Sequence, residues 1–424
     1  MNSDSGNVVI TGLGPVTSIG VGAEDFWTSL AAGRSNVHRR TLPVDLGRTA
    51  ELPLASMPAP DQIPGLPADL AFLESEECGH YRDLGYAVLA TELALADAGL
   101  EYDRDRNNIG AVQAFEAPGV ERSVSALFEL LSHPLPDDGP PPVYDLLAPY
   151  FYNMQAFLYV HLLGKALGLH GFSTSVHNAC TSGAFALEVA AGHIRSGQAE
   201  VMVVAGGEAF DTAVRLEWFR RLEMYARDKQ MRPFDAEASG FYVGEGAAAI
   251  ILESAAHASR RGAAVYAEYL GGRFAQQSWK QTIPDVRGAR LGEVITRALE
   301  ATAVSAAELD LIVPHGAATQ IGDGYEAACL EQALDGKAGG AVATAFKPYV
   351  GHMLAGSGII ELLCAALAIK HQAVPATLHT RPDQARLCVP LANTHTERRV
   401  DTVLKLTTGF TGHDAAQLLR RMNQ

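Results

Sequence analysis

Short apolar strands alternate with amphipathic helices twice along this 424-residue chain. The first round begins with a strand at residues 8–12 and reaches a strand at 247–252. The second begins near 264–270 and reaches strands at 402–408 and 415–419. Such alternation is typical of α/β proteins in which helices cover a parallel sheet. Because one ordinary hydrophobic core does not support a chain of this length, we expect two domains or one duplicated unit.

Turn-forming residues predict where the alternation is interrupted. Gly12, Gly14 and Pro15 predict the end of the first strand soon after it begins. Residues 39–70 are rich in proline and show no steady hydrophobic period. We therefore expect a surface excursion in that stretch.

Cys180 lies at a small-residue corner between a strand-like segment and an amphipathic helix, within S-T-S-V-H-N-A-C-T-S-G-A-F-A-L-E-V (residues 173–189). The unpaired N–H groups of the first helical turn and the positive end of the helix dipole favour a thiolate at this point. Thr181, Ser182 and Gly183 are small enough for a substrate carbonyl to approach the sulfur. The segment predicts a nucleophile. Taken alone, it leaves a buried structural cysteine as the alternative.

Two histidines lie in similar corners further along the chain. His315 follows an apolar strand in L-I-V-P-H-G-A-A-T-Q-I-G-D (residues 311–323). Lys347 and His352 lie in A-F-K-P-Y-V-G-H-M-L-A-G-S-G (residues 345–358), just before an apolar helix. One cysteine and two histidines in glycine-lined corners predict a catalytic set. A single histidine on each of two distant segments is poor ligand spacing, so we expect no metal.

Charge and cysteine content limit the class of protein. The chain has 33 basic and 48 acidic residues and a formal net charge of −15, which argues against nucleic acid or an anionic membrane as the main partner. Five cysteines without C-x-x-C spacing predict neither a disulfide framework nor a zinc site, and free thiols suit the cytoplasm. The first residues lack a signal-peptide pattern. The longest apolar stretch, 359–369, contains Glu361 and is too short to span a bilayer.

Four motifs occur in one order along the chain: A-C-T-S-G, R-P-F-D-x-x-x-x-G-F-x-x-G-E-G, H-G-x-x-T-x-x-x-D and K-x-x-x-G-H. With this order and spacing, the chain resembles the β-ketoacyl-ACP synthases (ketosynthases) of the thiolase superfamily, from Val8 to near Leu419. The resemblance implies an α/β, thiolase-like fold with a duplicated five-layer α-β-α-β-α arrangement. Residues 1–255 would form the half with the nucleophilic cysteine, and 256–424 the half with the two catalytic histidines. The resemblance also implies a homodimer.

The resemblance implies an acyl-transfer site around Cys180. An acyl group would pass from a carrier thioester to the sulfur, and the developing oxyanion would accept hydrogen bonds from the backbone N–H groups of Cys180 and Phe410. Gly409 and Phe410 would belong to a gate over the pocket.

The resemblance assigns the second half of the reaction to the histidines. His315 and His352 would donate hydrogen bonds to the enolate that forms when a malonyl extender loses its carboxyl group. One of them would also serve as the base for the water that receives the carboxyl carbon. Lys347 and Glu361 match the family positions that support these histidines.

The resemblance further implies how the substrate is delivered. We expect no cofactor, because substrates arrive on the phosphopantetheine arm of an acyl carrier protein. An acidic carrier would need a local basic patch on this acidic chain. The residues expected to bind the acyl substrate or the pantetheine arm are Thr319, Phe241, Thr411 and His413.

The chain departs from the family pattern around this site. Ala317 replaces the first hydroxyl of the family's H-G-T-x-T and leaves Thr319, which predicts altered carrier binding. The family's R-D-G-F reads A-S-G-F at residues 238–241, which removes a charged pair. His177 and Asn178, just before the cysteine, are larger and more polar than the residues common there.

The gate motif also differs. The family's G-F-G-G-T-N reads G-F-T-G-H-D at residues 409–414. We expect Thr411 to stiffen the gate, and His413 and Asp414 to bring a new titratable pair close to the site.

Residues 144–167 contain aromatic side chains among apolar residues. Aromatic residues at helical spacing predict a packed helix, here at a dimer interface. The alternative is a wall of the acyl pocket, because in the family this region lines the chain-binding tunnel and the dimer contact.

Four functions remain open from the sequence. The first is decarboxylative Claisen elongation of an acyl-carrier thioester in a specialised natural-product pathway. The second is a ketosynthase-like cyclase, which keeps the Cys180 acyl-enzyme and closes the chain by an aldol-type reaction and lactonisation. The third is a non-catalytic chain-length-factor partner, although such partners lack the cysteine. The fourth is a thiolase-like enzyme acting on CoA, although thiolases use a second cysteine where this chain has the two-histidine pattern.

Overall fold

The structure, a computed structural model, describes residues 6–66, 82–132 and 155–422. Its α-helices are α1 (Ala23–Ala31), α2 (Arg82–Asp97), α3 (Val120–Ser132), α4 (Ala156–Leu167), α5 (Ser182–Arg195), α6 (Val214–Arg221), α7 (Ala255–Arg260), α8 (Arg290–Ala301), α9 (Gln320–Leu334), α10 (Lys347–Val350) and α11 (Ser357–His371). Short 3-10 turns lie at Pro60–Gln62, Ala306–Glu308, Leu354–Gly356, Pro382–Gln384 and Phe410–Gly412.

The strands are β1 (Val8–Thr17), β2 (Gly20–Val21), β3 (Val37–Asp45), β4 (Arg48–Ala55), β5 (Gly110–Ala114), β6 (Ser173–Val176), β7 (Val201–Glu208), β8 (Gly246–Ser254), β9 (Ala267–Gln276), β10 (Leu311–Val313), β11 (Val342–Ala343), β12 (Ala373–Val374), β13 (Thr396–Glu397), β14 (Thr402–Gly409) and β15 (His413–Arg420). Cys78 and the aromatic residues Tyr150, Phe151 and Tyr152 lie outside the described residues.

Among the described residues, eleven strands join into one sheet with the order β11-β10-β14-β15-β9-β1-β8-β7-β5-β6, and β2 pairs with β1. The five strands on each side of the β9–β1 contact repeat one pattern. In each group, the first strand along the chain pairs antiparallel with the last (β1 with β8, β9 with β15). The three strands furthest from the β9–β1 contact pair parallel with one another (β7-β5-β6 and β14-β10-β11). The duplication that the sequence left to the family resemblance is therefore visible in the strand order. The division at residues 255 and 256 stays a prediction.

The sheet is mixed, so the expectation of a parallel sheet was wrong. Among the ladders of the described strands, β5–β6, β5–β7, β10–β11 and β10–β14 are parallel and the others antiparallel. β14 instead turns back through the tight connection 410–412 to pair antiparallel with β15, because a connection this short cannot make the crossover that a parallel pair requires.

The two halves of the sheet form two of five layers, and helices form the other three. Helices α2 and α4 pack on the outer face of the β1–β8–β7–β5 half, and α8 and α9 pack on the outer face of the other half. Between the two half-sheets lie α5 and α11, whose residues form the largest apolar cluster. The α/β thiolase-like, five-layer α-β-α-β-α prediction is confirmed.

The aromatic stretch predicted at 144–167 is described only from Gln155 onwards. Tyr159 of α4 is fully buried, and its ring meets Phe115 edge-on with the centroids 4.9 Å apart. This side chain therefore belongs to the core between α4 and the sheet. The dimer-interface and acyl-pocket readings of the rest of the stretch stay predictions.

The first strand does not end at its glycines, as the sequence predicted. β1 continues through Gly12, Gly14 and Pro15 to Thr17, with a bulge between Ile10 and Gly12. The glycines serve instead as contact points for helix α2. A Cβ on Gly14 would lie 1.8 Å from the carbonyl oxygen of Ala90. Close approach of helix and strand is the reason that no side chain fits there.

The sequence did not predict the antiparallel hairpin of β3 and β4, which lies in the proline-rich stretch and spans Val37 to Ala55. The turn is Leu46–Gly47, with Gly47 at φ +70°, a left-handed conformation that glycine adopts without strain. Prolines within both strands hid the hairpin signal. The side chains of Leu52 and Leu54 pack in the same apolar cluster as Cys180.

In the part of the chain that the structure describes, one helical stretch, Leu354–His371, is long and apolar enough to cross a membrane. Of this stretch, 89% is buried inside the protein, as a central core helix requires.

Gly14→Ala tests the contact between β1 and α2. The added methyl group collides with the backbone of α2, so we expect a loss of stability of about 1–3 kcal/mol, the usual cost of overpacking. The measurement is the urea midpoint followed by circular dichroism. Gly192→Ala in α5 is the matched control, because a Cβ there meets no atom within 4 Å and alanine favours helix. Equal midpoints for the two variants would contradict this reading of Gly14.

Candidate active site

Cys180 lies between the end of β6 and the start of α5, as the sequence predicted. The preceding residue, Ala179, has φ +49°, an unusual conformation for a residue with a side chain. The backbone N–H groups of Thr181 and Ser182 donate to the carbonyl groups of Asn178 and Ala179, at 3.1 Å each. This sharp turn presents the cysteine at the mouth of α5 with its side chain 5% exposed.

The two central helices approach most closely at their N-terminal ends. A Cβ on Gly358 of α11 would lie 2.6 Å from the backbone nitrogen of Ala184 in α5, and a Cβ on Gly183 would meet Ile359 at 2.8 Å. Cys180 precedes one helix and His352 precedes the other. Glycine at both positions therefore lets the helices bring these two residues to one place.

His315 follows β10, and Lys347 fixes its orientation. The Lys347 Nζ lies 2.5 Å from the His315 carbonyl oxygen and 3.2 Å from its Nδ1. The same ammonium pairs with Glu361. Because a lysine ammonium can only donate, Nδ1 of His315 accepts and the ring proton resides on Nε2.

His352 is held in the same tautomer by different neighbours. Its Nδ1 accepts from the backbone N–H of Leu354 at 3.2 Å and lies 2.8 Å from the Ser357 hydroxyl. Its backbone pairs with the segment around Tyr242 and Gly244. The ring proton of His352 therefore also resides on Nε2.

The three predicted residues line one small chamber. The His315 and His352 rings meet edge-on with their centroids 5.3 Å apart, and Phe241 packs on His352 at 5.0 Å. The chamber has a volume of about 60 Å³. Its lining residues are Cys180, Phe219, Met224, Phe241, Gln277, Thr282, Ile283, Pro284, His315, Ala317, Thr319, Gly322, His352, Thr408, Gly409, Phe410 and Gly412.

Burial keeps both imidazoles neutral. Loss of solvation, followed by the nearby charge of Lys347, lowers the pKa of His315 and of His352 well below the ordinary value. Each neutral ring offers one Nε2–H donor to the chamber. Two converging donors suit an oxyanion or enolate oxygen.

The electrostatics of Cys180 differ from the expectation of a resting thiolate. Burial, and after it the charge of Glu116, raises the pKa of the Cys180 thiol, and Lys347 opposes the rise only in part. The resting side chain is therefore a thiol. The helix mouth alone did not predict this, because the sequence does not show how completely the sulfur loses water.

Glu116 belongs to a buried ionic network that the sequence did not predict. Arg215 pairs with Glu121 at 2.8 Å and with Glu208 at 2.9 Å, and lies 3.7 Å from Glu116. Burial raises the pKa of Glu116 to about 7. Glu116 follows β5, which lies next to β6, the strand that leads to Cys180, and Glu208 ends β7 on the other side of β5. Because both glutamates lie at the carboxyl ends of neighbouring parallel strands, the sequence could have predicted that they meet.

Three further buried titratable residues belong to the segments around the histidines. Glu326 accepts from the backbone N–H groups of His315 and Gly316 at 2.6 and 2.9 Å, and Asp323 accepts from Phe234 N–H at 2.7 Å. Burial raises the pKa of Glu326 to about 7 and that of Asp323 to about 8. The third is Lys405, a lysine that interrupts the apolar strand V-L-K-L and is fully buried. A charged residue within an apolar strand was the sequence pattern that could have identified it.

Glu361 and the gate residues lie where the sequence placed them. Glu361 is 1% exposed on α11 and pairs with Lys347. Gly409 approaches the nucleophile, since a Cβ there would lie 3.6 Å from the Cys180 nitrogen. The Phe410 ring meets Trp218 edge-on at 5.6 Å. Thr319 and Phe241 line the chamber.

Thr411 and His413 are not brought into the chamber wall. Thr411 is exposed at φ +63°, and its N–H donates to the Gln281 carbonyl at 2.5 Å. The His413 ring meets Phe185 edge-on, with the ring centroids 5.6 Å apart.

Asp414 is fully buried and accepts hydrogen bonds from Gln277 and Tyr325 at 2.7 and 3.0 Å. Burial raises the pKa of Asp414 to about 6. The expected substrate contacts of Thr411 and His413 stay predictions.

The other departures have structural positions as well. His177 is exposed and does not line the chamber, whereas the Asn178 N–H donates to the Ser182 hydroxyl at 2.8 Å. Ser239 and Gly240 line an outer cleft of about 520 Å³, together with Arg227. Across the described ranges, no group of three or more His, Cys, Asp or Glu side chains is placed to hold a metal ion.

Comparisons with known proteins agree with this geometry. Residues 5–258 match the family model of the β-ketoacyl synthase N-terminal domain, and residues 266–381 match that of the β-ketoacyl synthase C-terminal domain. The chain therefore belongs to the β-ketoacyl synthase family, as the sequence motifs predicted.

Individual relatives align over almost the whole chain. The oxytetracycline polyketide putative β-ketoacyl synthase 1 of Streptomyces rimosus is 32% identical, with 98% of this chain and 97% of that protein covered. The 3-oxoacyl-[acyl-carrier-protein] synthase 2 of Rhizobium meliloti (strain 1021) is 30% identical, with 98% of each covered. Among solved structures, the ishigamide ketosynthase/chain length factor superposes with a TM-score of 0.83 at 27% identity, covering 98% of this chain and 99% of that one.

The raised pKa of Cys180 predicts a steep pH dependence of alkylation. Because the thiol is the resting form at neutral pH, the thiolate fraction, and with it the rate of reaction with iodoacetamide, should rise about tenfold per pH unit between pH 7 and 9. The measurement is peptide mass spectrometry on Cys388→Ala protein, which removes the cysteine that is exposed among the described residues. A rate that levels off below pH 8 would mean that the thiolate is already formed at rest.

Proposed function

We propose that the protein is a ketosynthase of polyketide-type biosynthesis that elongates an acyl chain by decarboxylative Claisen condensation. The observation that carries this proposal is the small chamber that Cys180 lines together with two buried imidazoles, those of His315 and His352. A nucleophile beside two converging donors suits acyl transfer followed by formation of an enolate.

In the first half-reaction, the Cys180 sulfur attacks the thioester of an acyl carrier protein. The acyl–sulfur bond to the carrier breaks, the carrier leaves with a free thiol, and the acyl group stays on Cys180. Backbone N–H groups of Cys180 and Phe410 would hold the oxyanion that forms between these states.

In the second half-reaction, a malonyl thioester loses its carboxyl group as carbon dioxide. The electron pair of the broken carbon–carbon bond forms an enolate, whose oxygen accepts hydrogen bonds from His315 and His352. The enolate carbon attacks the acyl carbonyl, and Cys180 leaves as a thiolate that takes up a proton. The product is a β-ketoacyl chain on the carrier.

The outer cleft supports delivery by an acyl carrier protein. It shares Met224, Thr319 and Gly322 with the chamber, so a phosphopantetheine arm laid in the cleft would reach the sulfur past Thr319. Arg227 lines the cleft together with Glu223, and its guanidinium gives an acidic carrier one basic contact. The relative from Rhizobium meliloti is named for action on an acyl carrier protein. No cofactor is part of this proposal.

Three alternatives fit the chamber less well. An aldol-type cyclase needs a basic ring nitrogen facing the substrate, but Nδ1 of both His315 and His352 already accepts a hydrogen bond within the protein. A thiolase-type enzyme needs a second cysteine, and among the described lining residues Cys180 is the one cysteine. A purely non-catalytic chain-length factor would not need the nucleophile at all.

A dimer is also part of the proposal. Among the described strands, β6 forms one edge of the large sheet, its residues are exposed or partly exposed, and Phe172 beside it is 42% exposed. An open strand edge next to an apolar side chain invites pairing with another chain. We propose a second copy of this chain at this edge.

Intact-mass spectrometry tests the function directly. After exposure to a candidate acyl-carrier thioester, we expect one acyl adduct on the protein. Cys180→Ala should abolish the adduct, because it removes the sulfur that forms the bond. The matched control Cys388→Ala, at an exposed cysteine, should keep it. An adduct that survives Cys180→Ala would refute the assigned nucleophile.

Carbon dioxide release tests the second half-reaction. With a malonyl carrier added, His315→Ala and His352→Ala should still load Cys180, whereas carbon dioxide release should fall by about 10²–10³, the usual effect of removing one oxyanion donor. If wild-type protein forms the acyl-enzyme but releases no carbon dioxide with any extender, elongation is wrong and cyclisation takes its place.

A further inference from the structure

Lys405 is a buried charged residue to which neither half-reaction assigns a task. It lies in the middle of β14 and is fully buried. Side chains alternate along a strand. Leu404 and Leu406 pack in the outer cluster with α8 and α9, whereas Val403 packs in the central cluster. Lys405 therefore points into the central layer, towards α11.

In that layer, Lys405 meets the carboxylate that also holds Lys347. Its Nζ lies 2.6 Å from Glu361 Oε2, and Lys347 pairs with Oε1 of the same carboxylate. Lys405 also donates to the Leu406 carbonyl at 2.7 Å and to the Thr407 hydroxyl. One buried carboxylate is thus shared by two buried ammonium groups.

Around the two histidines, the positive charges of Lys347 and Lys405 outnumber the buried negative charges. The titratable groups on the segments around the two histidines are Asp323 and Glu326 of α9, Lys347 of α10, Glu361 of α11, Lys405 of β14 and Cys180 at the mouth of α5. Burial disfavours the anionic form of Asp323, Glu326 and Cys180. Glu361 is then the principal anion beside two cations.

We propose that Lys405 is a positioning residue for the enolate-forming step: it clamps Glu361 from the side opposite Lys347 and adds a second buried positive charge next to His315 and His352. The proposal rests on the proposed function for the nature of that step.

Two consequences follow from this geometry. Clamping Glu361 fixes the ammonium of Lys347, and through it the His315 ring with Nε2–H towards the chamber. The added positive charge also opposes protonation of either imidazole, so both remain donors, and it favours negative charge on an oxygen bound between them. Consistent with this, the charge of Lys405 contributes to the lowered pKa of both histidines.

The test replaces Lys405 with methionine, which keeps the length and removes the charge. Histidines labelled with ¹³C at Cε1 are titrated by NMR, with the signals assigned from His315→Ala and His352→Ala. In Lys405→Met, we expect the protonation midpoint of at least one of these histidines to rise by about one pH unit, since one nearby positive charge is gone. A purely structural role of the lysine would not move this midpoint.

Kinetics give a second readout. Loading of Cys180 should stay within about twofold of wild type, because Lys405 does not touch the sulfur. Carbon dioxide release should fall at least tenfold, and the acid limb of its pH profile should move to higher pH. Lys370→Met is the matched control, because Lys370 lies on the same helix as Glu361 but pairs at the surface with Glu24. It should match wild type in every measurement.

Each outcome decides the proposal. Unchanged histidine midpoints in folded Lys405→Met would overturn it, as would equal losses of loading and carbon dioxide release. If Lys405→Met does not fold, Lys405→Gln, which keeps a donor for Leu406, is measured in the same way. Failure of both to fold, while Lys370→Met folds, would make the lysine a structural residue and also overturn the proposal. Absence of carbon dioxide release from wild type refutes the proposed function instead, and the NMR titration still tests Lys405.

Discussion

The candidate active site depends on the ion pairs that the buried Glu361 carboxylate makes with two lysines. This carboxylate lies in the central helix layer, 1% exposed, with Lys347 on one oxygen and Lys405 on the other. Buried ions are tolerated only when they are paired, so the three side chains must be placed together. This pairing places the Lys347 ammonium against Nδ1 and the carbonyl oxygen of His315. The tautomer of His315 is thus set by an ion pair outside the chamber.

The five-layer fold explains why residues so distant in sequence meet. Cys180, His315 and Phe410 each follow a strand of a parallel ladder, β6, β10 and β14. Ligands of α/β proteins gather at such carboxyl ends, and the repeated strand order brings the ends of both half-sheets to one place. The central helices complete the site, because Gly183 and Gly358 let their N-terminal ends touch.

The sequence predicted most of the site because its signals are local. A small-residue corner before a helix identified Cys180, and apolar strands and glycines around His315 and His352 identified the other two. Lys405 was not predicted, since its role depends on which face of β14 points to α11. The resting thiol at Cys180 was missed for a related reason: burial is a property of the packed layers and not of the helix mouth.

The fold was predicted less evenly than the site. Helices and strands of both rounds were found, but the sheet proved mixed and β1 ran on past its glycines. Gly14 reads as a chain breaker in sequence, whereas in the structure it is the point at which α2 touches β1. The same residue type serves turns and close packing, and only the tertiary neighbour separates the two uses. The hairpin β3–β4 was hidden because its prolines outweighed the turn at Gly47.

The most direct test of the account is a crystal structure of the protein with a non-cleavable malonyl-pantetheine analogue bound. The account predicts that the carbonyl oxygen standing for the enolate oxygen lies about 2.7–3.2 Å from Nε2 of both His315 and His352, with the reactive carbon facing the Cys180 sulfur. An analogue whose carbonyl oxygen contacts neither imidazole, or whose chain bypasses the chamber, would contradict it.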